Sequence, residues 1–189
     1  MFYKRNQTNF FKDRHWTTRE FEELVAEAEG GAGSTPTLLE VGCGVGNLVF
    51  PLLEAQLPLF ILCCDFSPRG VQFVREHPLY CEDTIRAFQC DIREDKQLQD
   101  GVGGRDRVDL LTAIFVLSAI SPVHHQQVLH NLAAVLRPGG VLLFRDYAQY
   151  DMAMLRFKPG SKISENFYTR QDGTMSYFFQ QVWIRSCMK

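Results

Sequence analysis

A glycine-rich turn between an apolar run and a helix-like run constrains the fold of this chain more than any other feature. Residues 38–41 are apolar except for Glu40, and glycines follow at positions 42, 44 and 46. A helix-like run then continues to about residue 57. Because glycine adopts positive φ and lets a ligand approach the main chain, such a strand–turn–helix is typical of nucleotide-like ligand sites. Taken alone, the same pattern also fits a plain glycine turn.

The spacing of the glycines indicates which ligand the turn would hold. A dinucleotide fingerprint reads Gly-x-Gly-x-x-Gly/Ala, and its third position would here be Asn47, which does not fit. The observed spacing, with Glu40 directly before it, suits S-adenosylmethionine. That molecule has no pyrophosphate to be cradled, and it carries a positive sulfonium and a positive ammonium.

Composition and charge limit the class of protein. The chain has 189 residues, 46% hydrophobic and 22% charged, which predicts a globular protein with a substantial core. We expect an N-terminal basic and aromatic lid over residues 1–35, followed by a catalytic domain over residues 36–189. No apolar run is long enough to span a bilayer, and residues 1–6 lack a signal-peptide core, so no membrane association is expected.

The cysteine pattern favours a reducing compartment. None of the six cysteines forms a C-x-x-C pair, and several lie in predicted buried strands, where free cysteine behaves as a small hydrophobe. We therefore expect no metal site and no disulfide framework. A protein of the cytoplasm, and also of the nucleus, is expected.

Strand-like and helix-like runs alternate along residues 37–144. The predicted strands cover residues 37–41, 60–65, 85–90, 108–116 and 141–144. Ser67 and Ser121 each precede a proline and predict a helix start, and residues 137–140 predict the end of the last helix. This alternation predicts a doubly wound α/β fold with a mostly parallel sheet and helices on both faces.

Chemically suitable residues stand where predicted strands end. Asp65 could accept hydrogen bonds from ribose hydroxyls, Asp91 from an adenine amino group, and the Ile92 amide could face a ring nitrogen. Ile114 could pack on the adenine plane. A helix cap, an ordinary loop aspartate and a core isoleucine are the alternatives. The order of these residues along the chain is more specific than any one of them.

Longer motifs carry a resemblance to a known family. They are FYKRN at 2–6, NFFKDRHW at 9–16, LEVGCGVGN at 39–47, CDFS at 64–67, IFVLSAI at 114–120, FRDY at 144–147, LRFK at 155–158 and NFYTRQDGT at 166–174. Over residues 2–179 the chain resembles the enzymes that form 3-methylcytidine in the tRNA anticodon loop, above all the cytoplasmic branch that acts on serine tRNAs. The resemblance implies a class I, Rossmann-like, S-adenosylmethionine-dependent methyltransferase. It implies cofactor contacts at Tyr3, Gly42, Asp65, Asp91, Ile92 and Ile114.

The chain departs from the family pattern at both ends. Family members have more chain before Phe2, and after Phe179 they continue through a helix and closing strands. Residues 180–189 differ from that continuation. We therefore expect a truncated or alternatively spliced form with incomplete C-terminal strands and an exposed strand edge.

A cytidine methylated at N3 must be unpaired, because base pairing hides that atom. Arg14, Arg145 and Asp146 are candidate catalytic residues, with Asp146 orienting the cytosine amino group and an arginine holding a phosphate or the base carbonyl. His15 is a further candidate for base recognition. A structural Arg145–Asp146 ion pair and a packed His15 are the alternatives.

Basic and aromatic side chains alternate near the N-terminus, as in surfaces that stack bases and hold phosphates. The first set is Lys4, Arg5, Phe10, Phe11, Lys12, Arg14, Trp16 and Arg19, and a second basic set is Arg156, Lys158, Lys162 and Arg170. A lid packed on the domain and a solvated face are the alternatives. The net charge of −2 indicates that charge alone does not supply the affinity for tRNA, and the resemblance implies a partner such as seryl-tRNA synthetase.

Two other functions fit the same motifs. One is a class I methyltransferase for a protein or a small molecule. The other is a catalytically impaired isoform that binds tRNA or a synthetase without turnover.

Overall fold

The computed structural model describes residue 14 and residues 16–30, 35–104 and 106–181. Five parallel strands form the main sheet, in the order β3-β2-β1-β4-β5. They are β1 (Thr37–Val41), β2 (Phe60–Asp65), β3 (Ile85–Gln89), β4 (Val108–Ile114) and β5 (Leu136–Arg145). The predicted Rossmann-like, doubly wound α/β fold is confirmed.

Helices cover both faces of this sheet. They are α1 (Thr17–Glu20), α2 (Glu22–Gly30), α3 (Val49–Glu54), α4 (Pro68–Arg75), α5 (Asp95–Val102), α6 (His125–Val135) and α7 (Met152–Leu155). Helices α2, α3 and α4 contribute to one hydrophobic core, and α5 and α6 contribute to the other. Within the described ranges, none of the helices has the length and apolar character needed to cross a bilayer.

The central strands are apolar on both sides because helices cover both sides. In β1, Leu38 packs into the first core, whereas Leu39 and Val41 pack into the second. Successive side chains of a strand point to opposite faces, so a strand buried on both faces reads as a continuous apolar run. Glu40 is the exception in β1 and faces the first core side.

The predicted limits of three strands are wrong, and for β3 the error is one residue, since it ends at Gln89 rather than at residue 90. Strand β4 ends at Ile114 rather than at residue 116, because Phe115 has φ +57° and leaves the extended conformation. Strand β5 begins at Leu136, so residues 137–140 belong to it rather than to the end of a helix. The ion pair of Arg137 with Asp109 holds this early part of β5 against β4.

The two serine–proline helix starts differ in the structure. Ser67 caps α4 as predicted, and its hydroxyl accepts a hydrogen bond from Gly70 N at 3.4 Å. Ser121 instead precedes a 3₁₀ turn, Pro122–His124, and makes no side-chain cap there. Helix α6 begins only at His125.

A small antiparallel sheet follows the main sheet in the chain. Its strands are β6 (Lys162–Ser164), β7 (Phe167–Thr169) and β8 (Met175–Tyr177). Phe179 returns to the main domain, where its side chain packs into the second core and Ala148 forms a parallel bridge with it. Among the described residues, β5 is the outermost strand on its side of the main sheet.

Helix α2 is part of the first core. Leu24 is fully buried and Ala28 nearly so, and Glu27 forms an ion pair with Arg137. The predicted boundary between residues 35 and 36 stays a prediction.

We expect Leu24→Ala to lower the free energy of unfolding by about 2–5 kcal/mol, because it removes a buried side chain from that core. Leu155→Ala is the control, since Leu155 is 66% exposed, and it should change the value by about 0.5 kcal/mol at most. Urea unfolding measures both. Equal effects of the two variants would show that α2 does not share the core.

Candidate functional site

The carboxyl ends of the parallel strands lie together at one edge of the sheet. Strands β1 and β4 are neighbours at its centre, and the chain leaves them towards opposite faces, through α3 after β1 and α6 after β4. In open α/β sheets, ligands bind in the crevice at such a switch point. The segments that follow the strands therefore form the candidate site.

The glycine turn after β1 requires glycine for steric reasons. Gly42, Gly44 and Gly46 all have positive φ, at +65°, +58° and +92°. A Cβ on Gly42 would lie 2.5 Å from Cγ2 of Val116, and a Cβ on Gly46 would lie 2.2 Å from the Phe50 ring. The turn therefore lies close to the segment after β4, and because its glycines have no side chains, its main-chain atoms line the crevice.

Asp65 ties this turn to the start of α4. Its Oδ2 accepts a hydrogen bond from Gly44 N at 2.9 Å, and its Oδ1 accepts one from Ser67 N at 2.8 Å. Burial raises the pKa of Asp65, and the two amides partly offset that rise. The alternative of a local cap is therefore part of its role, and the ribose contact stays a prediction.

Asp91 lies after β3, and Arg93 occupies its carboxylate. The guanidinium of Arg93 donates to both oxygens, with a shortest distance of 2.6 Å, and these bonds lower the pKa of Asp91. The Ile92 side chain is buried in the second core. The predicted contact between its main-chain amide and a ring nitrogen stays a prediction. Asn131 donates to the main chain of this loop, and sequence reasoning missed it because a single asparagine in a helix carries no signal.

Ile114 is 1% exposed and packs in the first core. Its main-chain oxygen accepts a hydrogen bond from Nη1 of Arg14 at 3.3 Å. The predicted contact between Ile114 and an adenine ring stays a prediction.

Glu40 is a buried carboxylate next to Arg14. It is 2% exposed, its Oε1 lies 3.9 Å from Nη1 of Arg14, and its Oε2 has no hydrogen-bond partner among the described residues. Burial raises the pKa of Glu40 to about 7, Arg14 lowers it, and Asp65 adds to the rise. The opposite residue in β4, Thr112, is also buried, and its hydroxyl has no partner in the described ranges. Two buried oxygens without a partner among the described residues therefore belong to neighbouring side chains on one face of the sheet.

The candidate catalytic residues make structural contacts. Arg14 is turned inward, and its main-chain N donates to Asn47 O at 2.7 Å. Arg145 lies over the Trp16 ring, 4.3 Å from Cζ to the ring centroid, and forms an ion pair with Glu20. The alternative interpretation of a structural pair between Arg145 and Asp146 is therefore not what the structure shows.

Asp146 anchors the segment after β5. Its Oδ2 accepts from Ser118 N and its Oδ1 from Tyr147 N, both at 2.9 Å. Burial raises the pKa of Asp146, and the hydrogen bonds from Ser118 lower it. Asp146 thus joins the ends of β4 and β5 at the crevice.

Two tilted aromatic rings and two arginines form a rim that the sequence did not reveal. The Phe115 and Tyr147 ring centroids are 4.9 Å apart. Arg14 lies 5.7 Å from the Phe115 centroid, and Arg170 lies 5.3 Å from the Tyr147 centroid. These residues come from four separate segments, so no sequence spacing relates them.

Several predicted residues lie outside the described part of the chain. These are Tyr3, Lys4, Arg5, Phe10, Phe11, Lys12 and His15. Of the second basic set, Arg156, Lys158 and Lys162 are exposed, whereas Arg170 is partly buried against Tyr147 and donates to Ser176. The set therefore does not form one uniform face.

Comparison with known proteins identifies the family. Residues 39–142 match the model of a methyltransferase domain family. A tRNA N(3)-methylcytidine methyltransferase of Schizosaccharomyces pombe is 50% identical over 100% of this chain and 75% of its own length. The chain belongs to the tRNA N(3)-cytidine methyltransferase family. The METTL6 member of Mus musculus is 60% identical over 97% of this chain, and the chain spans 64% of that relative's length.

Solved structures show the same methyltransferase fold. A SAM-dependent methyltransferase from Methanosarcina mazei has a TM-score of 0.64 at 13% identity, over 82% of this chain and 80% of its own. A glycopeptide N-methyltransferase complexed with S-adenosyl-L-homocysteine has a TM-score of 0.56 at 19% identity, over 76% of this chain and 56% of its own.

We expect Gly42→Ala to destabilise this family member more than Gly103→Ala. Both positions have positive φ, so both variants incur a left-handed backbone strain of roughly 1–2 kcal/mol. Only the Cβ at position 42 meets another atom, and overpacking there adds about 1–3 kcal/mol, whereas nothing lies within 4 Å of a Cβ at position 103. Urea unfolding measures the difference, and equal losses would contradict the close approach to Val116.

We expect Glu40→Gln to alter the pH dependence of stability. The folded pKa of about 7 exceeds the ordinary 4.5, so the folded state binds this proton more tightly than the unfolded state. Stability should then fall as pH rises from 4.5 to 7, by roughly 3 kcal/mol from this group, and stay level above pH 7. The variant should lack that fall, whereas exposed Glu82→Gln should follow the wild type. Parallel curves for wild type and Glu40→Gln, from unfolding at pH 4.5–8, would contradict the burial of this charge.

Proposed function

We propose that this chain transfers the methyl group of S-adenosylmethionine to N3 of a cytidine in the anticodon loop of tRNA. The observation that carries the proposal is the 50% identity, over the whole chain, to a relative named tRNA N(3)-methylcytidine methyltransferase. The glycine turn and the carboxylates at the carboxyl edge of the sheet supply a site of suitable chemistry.

In the proposed donor site, the turn at Gly42 lies against the donor and Asp65 accepts hydrogen bonds from the ribose. Asp91 accepts from the adenine amino group, the Ile92 amide faces a ring nitrogen, and Ile114 lies beside the base. Tyr3 completes the site from the N-terminal segment. For Asp91 to act in this way, the exposed Arg93 side chain must release at least one of the two carboxylate oxygens of Asp91.

Glu40 is suited to the positive charges of the donor. Its Oε2 is buried without a partner among the described residues, and an unpaired buried acceptor costs about 1–3 kcal/mol. An ammonium or sulfonium nearby would lower the cost of ionising this carboxyl group. This chemistry favours a cationic ligand at the turn over an anionic one.

The reaction needs alignment more than acid–base chemistry. The N3 lone pair of neutral cytosine attacks the methyl carbon, the carbon–sulfur bond breaks, and its electron pair stays on sulfur. No proton has to be removed before the attack. The protein therefore has to hold N3, the methyl carbon and sulfur in line and to exclude water.

In this proposal, Asp146, Arg145 and the rim residues hold the target base. Each oxygen of Asp146 accepts one main-chain bond, and the Ser118 side chain adds another. A carboxylate has about four acceptor positions in all, so the cytosine amino group can use a remaining one. Arg145 is 41% exposed and can reach a phosphate. Phe115 and Tyr147 offer aromatic faces for an unstacked base.

We further propose that serine tRNAs are the substrates and that seryl-tRNA synthetase presents them. The net charge of −2 supports a partner, because the salt-dependent phosphate contacts that dominate nucleic-acid affinity require clustered positive charge. The exposed side chains of Arg156, Lys158 and Lys162 supply only part of that positive charge.

The deciding experiment incubates the purified chain with S-adenosylmethionine and unmodified serine tRNA and analyses the nucleosides by mass spectrometry. We expect 3-methylcytidine in this tRNA and none in a tRNA with uridine at the target position. The synthetase is added in a parallel reaction. Methylation of a protein or a small molecule instead, or tRNA binding without any methylation in either reaction, would contradict the proposal.

Asp65→Ala tests the donor site within the same proposal. It should weaken binding of S-adenosylmethionine at least about tenfold, since hydrogen bonds to a charged group contribute about 1.5–3 kcal/mol. Asp100→Ala changes an exposed carboxylate on α5 and should bind the donor as the wild type does. Calorimetry measures the affinities, and an unchanged value for Asp65→Ala would refute the proposed site.

A further inference from the structure

Asn131 lies in the middle of α6 and is fully buried. Its Nδ2 donates hydrogen bonds to Ile92 O at 2.9 Å and to Arg93 O at 3.0 Å, and its Oδ1 accepts one from Nε2 of Gln127 at 2.7 Å. A buried amide with all these bonds made is fixed in position, since breaking any of them leaves a buried polar group unpaired.

The same two peptide groups contact Asp91 on their other side. The N–H of a trans peptide points away from its C=O. The amide of the 92–93 peptide is Arg93 N, which donates to Oδ1 of Asp91 at 3.1 Å. The amide of the 93–94 peptide is Glu94 N, which donates to the main-chain oxygen of Asp91 at 2.9 Å. Two short hydrogen-bond chains therefore run from the Asn131 amide through the loop to Asp91.

The surroundings make Asn131 a firmer restraint on Asp91 than Arg93. The Ile92 side chain packs in the second core with Val128 and Leu132 of α6, so the loop and the helix move together. The Arg93 side chain is 42% exposed and can exchange its bonds with water or a ligand. Hydrogen bonds in series also polarise one another, which strengthens the path through the peptide groups.

We propose that Asn131 is a positioning residue that orients the Asp91 carboxylate through the 92–93 peptide group, holds the Asp91 main chain through the 93–94 peptide group, and thereby sets the preference of the donor site for adenine. The inference rests on the proposed methyltransferase function, because it takes Asp91 as the acceptor for the adenine amino group. Asn131 itself touches no ligand in this arrangement.

The test measures binding of S-adenosylhomocysteine and of its inosine analogue, in which a carbonyl oxygen replaces the adenine amino group. The wild type should prefer the adenosine compound. Asn131→Ala should weaken binding of the adenosine compound about tenfold and binding of the inosine compound far less. The ratio of the two affinities should therefore fall towards one. Gln126→Ala, an exposed change on the same helix, should keep the wild-type affinities and preference.

A second variant covers the case in which Asn131→Ala does not fold. Gln127→Ala removes only the partner that orients the Asn131 amide, and Gln127 is exposed, so the core stays intact. It should reduce the preference in the same direction and by less. Circular dichroism confirms that each variant is folded.

The outcomes separate this inference from the proposed function. A wild type that binds neither compound overturns both. A wild type that prefers adenosine, with the same preference kept in folded Asn131→Ala and Gln127→Ala, overturns the inference alone. An equal weakening of both compounds also overturns it, because that result indicates a general structural role.

Discussion

The two hydrogen bonds accepted by Asp65 hold the candidate site together. One comes from Gly44 N in the turn after β1, and the other comes from Ser67 N at the start of α4. Together with the hydrogen bond from Cys43 N to Cys64 O at 2.9 Å, these bonds fix the turn of three positive-φ glycines relative to β2. The close approach of Gly42 to Val116 fixes the same turn on the β4 side. A main-chain surface between the two central strands results, and the chemistry of the site depends on it.

The acidic residues around this turn differ in how well their carboxylates are hydrogen-bonded. Asp65 and Asp146 are partly buried but accept main-chain hydrogen bonds with both oxygens, which compensates for lost water. Burial raises the pKa of Glu40 to about 7, because Arg14 at 3.9 Å offsets only part of that rise and Oε2 has no partner among the described residues. The hydrogen-bonded carboxylates of Asp65 and Asp146 stabilise the loops. Glu40 instead offers an unused hydrogen-bond acceptor where the positively charged methyl donor is proposed to bind.

Much of the fold could be predicted because each strand carries its own local signal. Strands β1 and β2 have the limits that apolar runs next to glycine and aspartate predicted. The errors occur where tertiary contacts override local pattern, as at residues 137–140, which the Arg137–Asp109 pair draws into β5. Asp65 and Asp91 could be selected from their places at strand ends. The contacts of Arg145 with Trp16 and Glu20 could not be predicted, because they join segments that are far apart in the chain.

The sequence by itself determined the order of strands and helices, the positions that must be glycine, and the family to which the chain belongs. These properties follow from short runs of residues, since periodicity, turn chemistry and motif spacing are local. Only the tertiary structure decided that Asn131 reaches the Asp91 loop, that Thr112 stands opposite Glu40, and that Phe115 and Tyr147 share a rim. Hydrogen bonds, burial and ring contacts between distant segments exist only after the sheet has brought those segments to one edge.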